Sequence, residues 1–215
     1  LMQRGRVEEI LIPPPSPHHS PSPMPHPAAL IFDCDGTLAD TMPLHWHAWE
    51  VVSRRHGIHF TEDRFYSLGG VPSRDILQML REEQGLSYDH HAVSLEKEHA
   101  FLPFLPTVQA IPEVVAIARE HHGRVPMAVA SGGKKRVVEQ VLEHLGIRHW
   151  FVAVVTSEDI VRQKPAPDIF LEAARLLGVA PTLCRGYEDT DLGMDAIRAA
   201  GMEAVDVRAF VKGVR

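Results

Sequence analysis

Apolar positions recur along this chain with two different spacings, and the changes from one to the other outline its organisation. Leu30, Ile31 and Phe32 form a short continuous apolar run, which predicts a buried strand. From Pro43 to about residue 104 the spacing is helical. Trp46, Trp49 and Val52 make one stripe, Ile76, Leu77, Met79 and Leu80 a second, and AVSLEKEHAFLPFL a third that stops at Pro103 and Pro106. Between the first two lies SLGGVPSRD, residues 67 to 75, a glycine-containing loop able to reach a ligand. From about residue 107 helix and strand alternate. Helices are predicted over 113–120, 134–145, 167–178 and 191–201, and strands over 125–130, 152–156, 183–187 and 203–207. Such alternation predicts an α/β fold, a parallel sheet with helices on both faces, built from residues 28–42 and 105–215. Residues 43–104 then form a small helical module inserted after the first strand.

Residues 1–27 belong to neither pattern. In PPPSPHHSPSPMPHP proline alternates with serine, histidine and methionine, and proline removes backbone donors and favours an extended chain. The segment reads as a disordered leader or tether, with a proline-rich ligand for a partner domain as the alternative, and His18 and His19 as tail residues rather than metal ligands. A net charge of −6 over 215 residues carries no basic face for nucleic acid. An anionic substrate must therefore be gripped locally. Cys34 and Cys184 are too few for a disulfide framework and read as reduced thiols. No apolar run approaches membrane-spanning length, and no secretory signal is found. A cytoplasmic monomer is the expectation.

In a parallel α/β sheet ligands gather at the carboxyl ends of the strands, so the polar residues at those ends carry the chemistry. The first strand ends in Asp33-Cys34-Asp35-Gly36. Alternation along extended chain sends Asp33 and Asp35 to one side and Cys34 to the other. Two carboxylates that close repel unless a cation sits between them, and Mg²⁺ is the natural neutraliser. The second end offers Ser131, Gly132 and Gly133 before a helix, a hydroxyl and backbone N–H cradle for phosphate oxygens, although simple capping also explains it. The third leads to Lys164, restrained by Pro165 and Pro167, a counter-charge or else a solvated surface lysine. The fourth gives Glu188 and Asp189, acids suited to completing an oxygen shell around Mg²⁺ or to capping the next helix.

Four such motifs in this order, each closing a strand of one alternating fold, resemble the haloacid-dehalogenase superfamily of phosphohydrolases. The branch is the one with a helical cap after the first strand, which holds β-phosphoglucomutase-like proteins and small sugar phosphatases, bacterial fructose-1-phosphate phosphatase among them. The resemblance covers residues 28 to about 210 and implies a Rossmann-like core with residues 43–104 as its cap. It implies Asp33 as nucleophile through an aspartyl-phosphate, Asp35 as general acid and then base, and Ser131 and Lys164 as holders of the phosphoryl oxygens. It also implies Mg²⁺ on Asp33, the carbonyl of Asp35 and Asp189, with Glu188 ligating directly or through water. Dehalogenases of the superfamily lack an acid at the Asp35 position, so Asp35 points to phosphoryl transfer. Phosphonate-cleaving relatives need a lysine that the first cap helix does not supply. In the cap, His45 matches a histidine near the family's active site, though packing beside Trp46 and Trp49 explains it equally well. Gly70 and Val71 match the substrate-facing cap loop, and Lys134 matches a residue that grips a second phosphate in mutases. The mutases' cap-loop arginine has no clean counterpart, since Arg74 is displaced by about one position, and the small polar groups beside their lysine are replaced here by Gly133 and Lys135. Arg185-Gly186 also departs from the apolar residues usual in the fourth strand and leaves its regularity in question. The expected activity is hydrolysis of a small sugar phosphate, such as fructose 1-phosphate. A β-phosphoglucomutase and a non-catalytic binding protein using the leader are the alternatives.

Overall fold

The computed structural model describes residues 26–211, so the proline-rich segment read as a leader lies, but for its last residues, outside the described residues. Five strands form one parallel sheet in the order β5-β4-β1-β6-β7. They are β1 (Ala29–Phe32), β4 (Met127–Ser131), β5 (Ala153–Thr156), β6 (Cys184–Glu188) and β7 (Glu203–Asp206). Both faces of the sheet are covered, which is why its strands read as apolar runs rather than as alternations. Leu30, Phe32, Met127, Val129 and Val154 point into one apolar cluster. Ala29, Ile31, Ala128, Ala130 and Val155 point into the other. The first face takes α5 (Pro112–His121) and α6 (Lys135–His144); the second takes α7 (Asp168–Leu177) and α8 (Asp191–Ala199).

The predicted elements all form, with ends shifted by one or two residues. The strand containing Arg185 and Gly186 is regular and pairs on both sides, with β1 and with β7. Its unusual residues have local explanations. Arg185 sits opposite Glu203 on β7 and makes an ion pair with it at 2.8 Å. Gly186 leaves room for Ile197 of α8, whose side chain would lie 2.8 Å from any β-carbon placed there.

The chain leaves β1 through a two-stranded antiparallel ribbon, β2 (Ala39–Asp40) against β3 (Gln109–Ala110), too short for hydrophobic periodicity to announce. Between them lie four helices: α1 (Met42–His56), α2 (Glu62–Ser67), α3 (Ser73–Gln84) and α4 (His90–Phe101). They bury an apolar cluster of their own around Trp49, Val52, Phe60, Phe65, Ile76, Leu77 and Leu80. The first two helical stripes of the sequence therefore point inward to a second small core, while Phe101 and Leu105 of the third join the cluster on the sheet. No helix among the described residues is long and apolar enough to cross a membrane.

Candidate active site

From β1 the chain moves to β4 and β5 on one side, then returns to β6 and β7 on the other. The order thus reverses between β1 and β6, and ligands of such sheets collect at that crevice. Phe32 is in register with Tyr187, so the next residues, Asp33 and Glu188, emerge side by side. Asp33 is held by its backbone N–H donating to the Tyr187 carbonyl at 3.0 Å. Cys34 turns into the core while Asp33 and Asp35 both face one cavity, as alternation along the strand requires.

The turn after Asp35 needs glycine. Gly36 has φ of +85°, and a β-carbon there would lie 2.2 Å from Oδ2 of Asp189. Thr37 donates its hydroxyl to Oδ1 of the same carboxylate at 2.7 Å, so β1 and β6 are tied together through Asp189. Gly36→Ala is therefore expected to displace Asp189, lowering turnover at least about tenfold and stability by about 1–3 kcal/mol, as for a residue forced into a disfavoured backbone region. Phosphate-release kinetics and a thermal melt check both.

Lys164 is the charge at the floor of the site. Its ammonium donates to Asp33 Oδ1 at 2.7 Å and to Glu188 Oε1 at 2.6 Å, and the three side chains are almost wholly buried. Burial alone would lower its pKa, but attraction to Asp33 and Glu188 and the bonds to them raise it above the ordinary lysine range. Burial raises Asp33 well above the usual carboxylate range; Lys164 opposes that, while Glu188, Asp189 and Asp35 add to it. Asp189 is pushed up to about 7, first by burial and then by the charge of Glu188, against the Thr37 hydrogen bond and Lys164. Asp33, Glu188 and Asp189 thus share the charge of Lys164, with Asp35 close by, a set of oxygens with excess negative charge that suits a hard divalent cation. Among the described residues no three His, Cys, Asp or Glu side chains form a ready cage. Mg²⁺ does not require one, because it keeps several waters and takes one or two carboxylates.

Glu188 is held by both of its oxygens: Oε1 accepts from Lys164, and Oε2 accepts from the backbone N–H of Thr190 at 2.5 Å and the Thr190 hydroxyl at 2.9 Å. It thereby orients Lys164 and starts α8, beside Asp33 and Asp189. Ser131 does not cap α6, whose N-cap residue is Lys134; its Oγ accepts from the Gly133 N–H at 3.0 Å and donates to Asp35 Oδ2 at 3.4 Å.

Asp35 is gripped from the helical insertion. Thr41 donates to its Oδ1 at 2.6 Å, and His45 Nε2 lies 3.2 Å from the same oxygen. On the far side of the ring, Lys97 of α4 donates to His45 Nδ1 at 3.0 Å. Lysine has no acceptor, so Nδ1 accepts and the ring proton belongs on Nε2, directed at Asp35. Burial would raise the Asp35 pKa, but the attraction and hydrogen bond from His45, the Thr41 hydroxyl and the charge of Lys97 hold it below the usual carboxylate range. His45 also packs, and its stacking partner is Phe101 at 4.1 Å between ring centroids rather than Trp46 or Trp49.

The cavity over Asp33 and Asp35 is roofed by Gly69, Gly70, Val71 and Ser73 of the loop before α3 and the start of α3 itself, and walled by His45, Lys97, Glu98, Ser131 and Gly132. The roof touches the core: a β-carbon on Gly132 would lie 2.7 Å from the Gly70 carbonyl oxygen. Lys134 lines two clefts that adjoin this cavity, and its ammonium pairs with Glu158 at 3.3 Å because Glu158 lies against the start of α6. Thr37, Thr41, Lys97 and Glu98 were not anticipated from the sequence.

Comparison with known proteins gives the chain its family. The family model described as haloacid dehalogenase-like hydrolase matches residues 30–207. The Escherichia coli protein named fructose-1-phosphate phosphatase YqaB is 43% identical over 182 residues, covering 84% of this chain and 96% of its own. The Thermotoga maritima protein named phosphorylated carbohydrates phosphatase is 30% identical over 181 residues, covering 82% of this chain and 83% of its own. Among solved structures, β-phosphoglucomutase from Clostridium difficile superposes with a TM-score of 0.76 at 28% identity, covering 83% of each chain.

Proposed function

Because this chain belongs to the haloacid dehalogenase-like hydrolases and two of its relatives are named phosphatases of sugar phosphates or phosphorylated carbohydrates, we propose that it is a Mg²⁺-dependent phosphatase of a small sugar phosphate. Fructose 1-phosphate is the first substrate to try, since that is the activity in the name of the 43% identical relative. The observation that carries the reading is the meeting of Asp33, Asp35 and Ser131 at one cavity, with Lys164 bonded to Asp33 beneath it, from segments far apart in sequence.

In this reading Asp33 attacks phosphorus through Oδ2, which accepts no hydrogen bond from the described residues, while Lys164 orients the carboxylate through Oδ1. Lys164, Ser131 and the N–H groups after Ser131 hold the phosphoryl oxygens in place. Asp35, placed by Thr41 and His45 and ionised in the free chain, takes up a proton as the anionic substrate enters, gives it to the leaving oxygen, and regains one from the water that cleaves the aspartyl-phosphate. Asp33, Asp189 and the Asp35 carbonyl would hold Mg²⁺, whose charge offsets repulsion between substrate and nucleophile. The insertion acts as a cap, with Gly70 and Val71 over the substrate, excluding water during transfer.

The mutase alternative needs a second phosphate grip. Its two candidates are both engaged elsewhere, Lys134 with Glu158 and Arg74 with Asp75 at 3.0 Å, which favours the phosphatase. A panel of sugar and nucleotide monophosphates, assayed with Mg²⁺ and with chelator, tests the reading. Free phosphate is expected from sugar phosphates, falling at least about a hundredfold when the metal is removed. Isomer formation without phosphate, or release that ignores chelation, would contradict it.

A further inference from the structure

α4 carries its buried face at residues 93, 94, 97, 98 and 101, and two of those five are charged. Lys97 is explained by His45. Glu98, only 8% exposed, meets that network through one oxygen alone, and it lines the cavity over Asp33 and Asp35 and the two clefts that continue from it. Its two partners fall on one oxygen: Ser73 donates to Oε1 at 3.0 Å and Lys97 approaches the same atom at 3.4 Å. Among the described residues no hydrogen bond or ion pair falls on Oε2. A carboxylate oxygen in such a place can only accept, and once a substrate displaces water it needs a donor.

The charges around it narrow the donor's identity. Lys97 is shared between His45 and Glu98, Lys164 between Asp33 and Glu188, and Lys134 and Arg74 pair with Glu158 and Asp75. The cap end of the cavity thus presents an acceptor with negative charge and no unpaired cation among these four. A hydroxyl fits there; a carboxylate or second phosphate does not.

We propose that Glu98 is a specificity-determining residue, its Oε2 accepting a hydrogen bond from a hydroxyl on the alcohol portion of the substrate and its charge rejecting phosphomonoesters whose far end is anionic. This rests on the phosphatase reading and adds to it the class of alcohol, an uncharged polyol or sugar.

Glucitol 6-phosphate and 6-phosphogluconate make a matched pair, alike in length and differing at one end as hydroxymethyl against carboxylate. The wild-type chain is expected to favour the first in kcat/KM by about a hundredfold or more, since a site built to bond a hydroxyl discriminates strongly. Glu98→Gln, which keeps shape and removes charge, should lower that preference at least about tenfold, chiefly by admitting the acid. Glu98→Asp keeps the charge but withdraws the oxygen; it should retain rejection of the acid while raising KM for the polyol several-fold. A preference unchanged in both folded variants, verified by circular dichroism, would overturn the role of Glu98. So would a wild-type chain that prefers the acid. Absence of phosphate release across the sugar-phosphate panel would instead reject the phosphatase reading itself.

Discussion

Asp33→Asn should abolish phosphate release, by at least about a thousandfold in kcat, and leave the fold intact. The amide is close to isosteric but cannot attack phosphorus, and no other carboxylate can take its place. Asp35 is tied to Thr41 and His45, Glu188 to Lys164 and Thr190, and Asp189 to Thr37. The folded state should tolerate the change because Asp33 is a costly anion, raised by burial and by three neighbouring acids. Lys164 retains Glu188 at 2.6 Å. Steady-state kinetics beside a thermal melt separate the two effects; a variant that folds and still turns over would remove Asp33 from the mechanism.

Lys164→Met should lose both activity and stability. It leaves two buried carboxylates without their shared cation, and breaking such a pair from one side costs about 3–5 kcal/mol. For a chain of this size that is a fall in Tm of roughly 6–20 °C. The double variant Lys164→Met with Glu188→Gln removes one of the stranded charges and should recover a good part of the stability. Turnover should stay down at least about a hundredfold, because the phosphoryl oxygens and Asp33 have still lost their lysine. Recovery of activity along with stability would mean that Lys164 is only a structural counter-ion.

Most of this was legible because the chemistry sits at strand ends, where local pattern and function coincide. The switch from Leu30-Ile31-Phe32 to Asp33-Cys34-Asp35 is visible in a few residues, and so are Ser131 and Asp189 after their apolar strands. The grip on Asp35 was not visible in that way. Thr41, His45 and Lys97 converge through the folding of the insertion, with Lys97 reaching back 52 positions to His45. A signal did exist: Lys97 and Glu98 occupy the stripe of α4 that also carries Val93 and Phe101, and charged residues on a buried stripe ask for partners. The bond from Lys164 to Glu188 follows from strand pairing beside β1, which residue order does not show. The pairing of Lys134 with Glu158, 24 positions on, is equally hidden, since it depends on Glu158 packing against the start of α6.

The central claim is that phosphorus is transferred to Asp33 before it reaches water. Acid-quenching the working enzyme during turnover of a good substrate, digesting it at low pH and weighing the peptides tests that claim directly. The peptide containing Asp33 should carry the mass of one phosphoryl group, lost on treatment with hydroxylamine and absent from Asp33→Asn. A phosphoryl group found on any other residue would contradict it.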